Sequence, residues 1–107
     1  MNVHVLGFEM INEWLKKHRI NDWLSERLVC KDGFKMSVQA SNIHYCSPRI
    51  DNAKYYTTFE IAFPTTIDGE LLPYAEDIMY PMKTVYCYVP VELVEKIINK
   101  HGGIADD

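Results

Sequence analysis

The stretch RLVCKDGFKMSVQA, residues 27 to 40, holds Asp32-Gly33 between two runs of alternating apolar and polar residues. Such a pair between alternating runs is a strong short-range signal for a β-hairpin. Side-chain parity then selects the loop. A two-residue loop at Asp32-Gly33 would set Lys31 opposite Phe34 and put Leu28 and Cys30 on the face opposite Phe34, Met36 and Val38. A three-residue loop of Lys31, Asp32 and Gly33, with Gly33 left-handed in a bulged turn, pairs Cys30 with Phe34 and Leu28 with Met36. All five apolar side chains then share one face. The bulged form is the prediction, and a residue other than glycine at position 33 should cost on the order of 1 kcal/mol.

A hairpin with one apolar face needs a cover, and the flanking sequence supplies it. Phe8, Ile11, Trp14, Leu15 and His18 recur at helical spacing, while Glu9, Asn12, Glu13, Lys16 and Lys17 take the other side. Glu13 and Lys17 stand four apart in the favourable order. Before this helix, Val3 and Val5 alternate in a short strand over residues 2 to 6, and after it Asn21-Asp22 caps one more turn through Trp23 and Leu24. Near the other end, Pro90 opens a helix whose stripe is Val91, Val94, Ile97 and Ile98, with Glu92 and Lys96 as a surface pair and Gly102-Gly103 as its stop.

Between the hairpin and this last helix the pattern is extended. Residues 43 to 46 read as a third strand, followed by a loop through Ser47-Pro48-Arg49 and Asp51-Asn52. From Lys54 to Pro64, Tyr55, Thr57, Phe59, Ile61 and Phe63 lie on one face and Tyr56, Thr58, Glu60 and Ala62 on the other. Asp68-Gly69 marks a turn, residues 70 to 76 a helical turn, and Met79, Tyr80, Pro81 and Met82 an irregular apolar stretch. Residues 84 to 89 form another strand, with Val85, Cys87 and Val89 on one face and Tyr86 and Tyr88 on the other. The reading is a single α+β domain over residues 1–107. Its antiparallel sheet has four or five strands, including the bulged hairpin, and is packed by an N-terminal and a C-terminal amphipathic helix.

The totals limit what such a domain can bind. The 107 residues carry a net charge of −4, which argues against a broad phosphate-binding surface and hence against direct nucleic-acid binding. Lys16, Lys17, His18 and Arg19 cluster, but they close the first helix, where cations complement its partial charge. The first residues lack a secretory pattern and no apolar run approaches the ~20 residues of a membrane span, so the expected location is the cytosol. Cys30, Cys46 and Cys87 form no C-x-x-C pair, and reduced thiols are expected.

The densest chemistry is His44-Tyr45-Cys46-Ser47-Pro48-Arg49. In a strand His44 and Cys46 would share a face, as a thiol and its base or as two metal ligands, and Asp51 could orient the base only if the loop folded back. The spacing matches no zinc or catalytic signature, and neither G-x-G-x-x-G nor a P-loop occurs. No catalytic residue, metal or cofactor is therefore assigned. Alternatively, His44 and Cys46 are ordinary sheet residues, with Arg49 tying the loop through carbonyls or a carboxylate.

Seven tyrosines exceed what one side of a small core can bury. Tyr56, Tyr86 and Tyr88 alternate away from the core positions, and with Met79, Tyr80, Met82 and Arg49 they make a candidate protein-binding face, since tyrosine is enriched at interfaces. The competing reading is that residues 64 to 83 simply cover that face.

The strings LVCKDGFKMSVQAS, IHYCSPR, YTTFEIAFP, LPYAED and TVYCYVPVELVEKIINKHGG together resemble small orphan proteins of phages and prophages from low-GC Gram-positive bacteria, over residues 28 to 103. Cys87 and Ala62 stand where a smaller residue such as glycine is expected in that pattern. The resemblance implies an accessory protein that works in the host cytosol by binding a host bacterial protein, with inhibitors of host defence such as anti-CRISPR proteins as one class. It carries over no catalytic residue. Two other expectations stand beside it: a thiol-dependent enzyme using Cys46 and His44, and a structural homo-oligomer using the tyrosine face symmetrically.

Overall fold

A computed structural model of the protein describes residues 7–105, with side chains from Met10 onward. The expected strand at residues 2 to 6 lies outside the described residues. The elements are α1 (Gly7–Lys17), β1 (Arg19–Asn21), β2 (Leu24–Ser25), β3 (Leu28–Val29), β4 (Lys35–Gln39), β5 (Thr58–Ala62), β6 (Val85–Pro90) and α2 (Val91–Lys100), with a 3-10 turn at Leu72–Tyr74 before β6. Strands β3-β4-β5-β6 form one antiparallel sheet in that order, and β1 and β2 form a separate small hairpin. This is the α+β arrangement expected, with the helices packed on the sheet.

The bulged hairpin is present. Leu28 faces Met36, the Cys30 N–H donates to the Phe34 carbonyl at 2.8 Å, and the Gly33 N–H to the Cys30 carbonyl at 2.9 Å. Gly33 has φ +95°, a conformation that a Cβ penalises. Leu28, Cys30, Phe34, Met36 and Val38 are all buried. They join Ile11, Trp14 and Leu15 of α1, Val91, Val94, Ile97 and Ile98 of α2, and Phe59, Ile61 and Val89 in one core. At about 1.5–3 kcal/mol per large side chain removed from water, this shared interior is the main source of stability.

The hydrogen bonds that stop α2 also protect an edge. Gly102 and Gly103 both take positive φ, and the Gly103 N–H returns to the Ile98 carbonyl at 3.0 Å. The chain then runs beside β3, with bonds from the Lys31 N–H to Gly103 and from the Ala105 N–H to Val29. On the opposite side of the sheet, Ala75 bridges Tyr86 and the Glu76 N–H donates to the Val85 carbonyl. Both sheet edges are thus partly paired, which limits strand addition.

Several expectations change. Asn21-Asp22 does not cap a helical turn: the Asn21 side chain accepts the Trp23 N–H at 2.9 Å, and this turn reverses the chain into β2. Residues 43 to 46 are not a strand, because Ser41 Oγ takes the Ile43 N–H and Asp51 the Asn42 N–H, local bonds that compete with a ladder. The strand expected from Lys54 narrows to β5. Its preceding residues are drawn to α1, where buried Asn12 accepts the Tyr56 N–H at 2.7 Å and donates to its carbonyl at 3.1 Å. Asn12 is therefore not on the solvent side. Phe63, with φ +52°, turns outward. Glu13 pairs with Lys16 rather than Lys17, and Lys96 with Glu70 rather than Glu92.

Candidate functional site

Strand β6 decides which tyrosines reach the surface. Phe59 opposes Val89 and Ile61 opposes Tyr86, so two residues, Cys87 and Tyr88, stand against Glu60 alone. This bulge resets the alternation. Tyr86 turns into the core at 0% exposure, while Tyr88 stays outside with φ +52°. Tyr56, at 2% exposure, is also buried: its backbone is held by Asn12, and its hydroxyl donates to the Ile50 carbonyl at 2.7 Å. Of the three tyrosines proposed as an outer face, Tyr56 and Tyr86 are corrected to core residues. Tyr88 alone is available.

The irregular stretch before β6 is the more exposed surface. Met79 is 76% exposed, Tyr80 62% and Met82 47%, and Ile78, which the sequence reading passed over, is 59%. Such side chains gain by leaving water, yet the loop holds them in it. Asp77 accepts the Met79 N–H at 3.0 Å through its carboxylate and the Tyr80 N–H at 3.2 Å through its carbonyl. The Asp77 N–H in turn donates to Thr84 Oγ1, the Lys83 N–H to the Tyr80 carbonyl, and the buried Tyr86 hydroxyl to the Pro81 carbonyl. These bonds fix the loop's backbone at Met79, Tyr80 and Pro81 while its apolar side chains are exposed. Glu76 and Asp77 precede it and Lys83 follows it. The Asp-x-Met spacing was the available sequence signal, because an aspartate two residues ahead of an N–H is a turn former.

Farther along β6, the Tyr88 ring lies 5.9 Å from that of Tyr45, and the Arg49 guanidinium stands 5.1 Å over Tyr45. The Tyr88 N–H donates to the Tyr45 carbonyl at 3.0 Å, and the Tyr45 N–H to Glu60 Oε1 at 3.0 Å. Arg49 also reaches the Ile43 carbonyl at 3.4 Å, which is the loop-tying role weighed for it. A second apolar set, Ile20, Trp23, Ile43 and Ile50, is exposed around the β1–β2 tip and the 41–52 loop, and Asn52 joins these two regions through Asp22 at 3.2 Å.

His44 and Cys46 are not assembled as a nucleophile and base. The Cys46 thiol is buried and donates to the Ser41 and Pro48 carbonyls, at 3.2 and 3.5 Å, and burial above all pushes its pKa up. His44 Nδ1 bonds with Ser41 Oγ at 2.7 Å, and desolvation holds its pKa below the usual histidine value. Asp51 is turned to Asn42. Such a thiol is the reverse of an activated one. All three cysteines are free. Among the described residues no group of three or more His, Cys, Asp or Glu is placed to hold a metal, and no helix is long and apolar enough to cross a membrane.

No protein-family model matches this chain, and no curated protein or solved structure is significantly similar to it.

Proposed function

We propose that this chain is a noncatalytic binding protein that grips a partner protein through the 78–82 loop, with Tyr88 and the Arg49-Tyr45 pair as flanking contacts. The observation that carries the reading is the loop's construction, in which four apolar side chains are held in water by a backbone already fixed through Asp77, Thr84 and Tyr86. Little backbone ordering remains to be lost on docking, so the gain from burying these apolar side chains against a partner is offset mainly by their own rotamer entropy and the cost of association. Methionine, tyrosine and arginine are also among the residues interfaces concentrate. The resemblance to small phage proteins makes the partner a host bacterial protein, with a component of host defence, as for anti-CRISPR proteins, as one class.

Affinity capture from a bacterial lysate tests this. The full chain should retain a stoichiometric protein, and Met79→Ser with Tyr80→Ser should release it while leaving the melting temperature unchanged. Retention by the double variant places the contact elsewhere. The substitution Tyr86→Ala is unsuitable for such a test, since it empties a core position.

A further inference from the structure

We infer that Met79 and Met82 form an oxidation site, where an oxidant of the peroxide class converts both thioethers to sulfoxides and makes the 78–82 loop polar while the fold stays intact. The sulfur lone pair bonds one oxygen of hydrogen peroxide and the O–O bond breaks. The departing hydroxide takes the proton left on the first oxygen and becomes water, so each sulfur is oxidised by two electrons and one peroxide is reduced. This chemistry needs only the exposed loop; its use as a control of docking rests on the function proposed above.

Exposure selects these two sulfurs. Met79 and Met82 both stand in solvent, whereas Met36 has no exposed surface and Met10 is half-buried on α1. The cysteines are poor competitors, because peroxide attacks the thiolate rather than the thiol. Burial, aided by the Asp32 charge, pushes the Cys30 thiol up to about 11. Burial is also the main cause that raises Cys46 and Cys87, and the carboxylates of Glu76 and Glu60 hold Cys87 up further. All three therefore stay protonated near neutral pH.

The loop does not depend on either sulfur for its shape. Its backbone is held by the Asp77 carboxylate on the Met79 N–H, by Thr84 Oγ1 on the Asp77 N–H, by the Tyr86 hydroxyl on the Pro81 carbonyl and by the Lys83 N–H on the Tyr80 carbonyl. None of these bonds uses a methionine side chain, and neither methionine belongs to the buried core. A sulfoxide oxygen added here is solvated at once, so the folded domain loses no contact. What changes is the surface: two flexible apolar chains become polar. A partner docking on the oxidised loop has to strip water from both sulfoxides, which costs free energy wherever it offers them no donor.

Treatment of the full chain with limiting hydrogen peroxide, followed by thiol alkylation and peptide mass mapping, tests the site. Met79 and Met82 should each gain one oxygen about tenfold faster than Met36 or any cysteine, with the melting temperature unchanged and with earlier elution from a phenyl matrix. Methionine sulfoxide reductases supplied with a dithiol should restore both mass and retention. The variant Met79→Leu with Met82→Leu should elute at the same point before and after peroxide. Equal or earlier oxidation of Met36 or a cysteine, a melting temperature that falls as Met79 and Met82 oxidise, or the same elution shift in the leucine variant would overturn the inference. Lysate capture then reads the control of docking: the oxidised chain should lose its captured protein and regain it after reduction, and undiminished capture contradicts that control. If the untreated chain captures nothing, the docking function fails, while mass and retention still decide the oxidation site.

Discussion

Glu95 lies buried on α2, where its Oε2 accepts the Ile11 N–H of α1 at 2.9 Å and its Oε1 has no partner. Burial raises its pKa to about 7, against the lowering effect of the Ile11 bond. In the unfolded chain the group ionises near 4.5, so between these values the folded protein binds the extra proton. Its contribution to stability is therefore complete below about pH 4.5 and is lost as pH rises through about 7. Glu95→Gln keeps an acceptor for Ile11 and cannot ionise, so it should stabilise the protein at pH 8 by on the order of 1–3 kcal/mol and flatten this part of the pH profile. Denaturant melts of both proteins at pH 5 and pH 8 check it, and parallel profiles would contradict it. The spacing contained the clue, since position 95 is four after Val91 and three before Ile98, on the buried stripe. A charged residue type concealed it. Gly33 shows the opposite case, being legible from parity alone. At Gly33 an added Cβ meets nothing within 4 Å, so Gly33→Ala should cost about 1 kcal/mol through backbone conformation only, measurable in the same melts.

Among the elements, the hairpin and both helices were legible because their apolar residues keep one period throughout, and burying Leu28, Met36, Val94 or Ile97 has one geometric solution. Strand β6 was not. Its sequence alternates cleanly, but pairing with β5 inserts one extra residue at Cys87-Tyr88, and a bulge leaves no mark on composition. The consequence is a sharp difference between neighbours. Tyr86→Ala should destabilise by about 3–5 kcal/mol, the range for removing a buried aromatic ring, whereas Tyr88→Asn should be nearly neutral because Asn tolerates the left-handed backbone that Tyr88 adopts at φ +52°. Chemical denaturation of the two variants decides between this bulged register and the simple alternation, which would make both tyrosines dispensable. The 41–52 loop was misread for a related reason: its bonds run from side chains to nearby backbone, and propensity does not register them.

For the whole molecule, a single interior unites Phe34, Ile61 and Val94, and both edges of the sheet are partly covered, so the unspent apolar surface lies in loops rather than along a strand. Sequence pattern located the 79–82 stretch but could not say that it stands in solvent, because exposure there depends on Asp77, Thr84 and Tyr86 holding its backbone. The same limit hid Ile20 and Trp23, whose exposure follows from the β1–β2 turn. Two apolar surfaces thus compete for the role of docking face. A photo-crosslinking residue placed at position 79, and in a separate sample at position 23, distinguishes them in a bacterial lysate. Covalent capture of one protein from position 79 and not from position 23 is the predicted result; capture from position 23 alone, or from neither, would contradict the assignment of the 78–82 loop as the surface that binds.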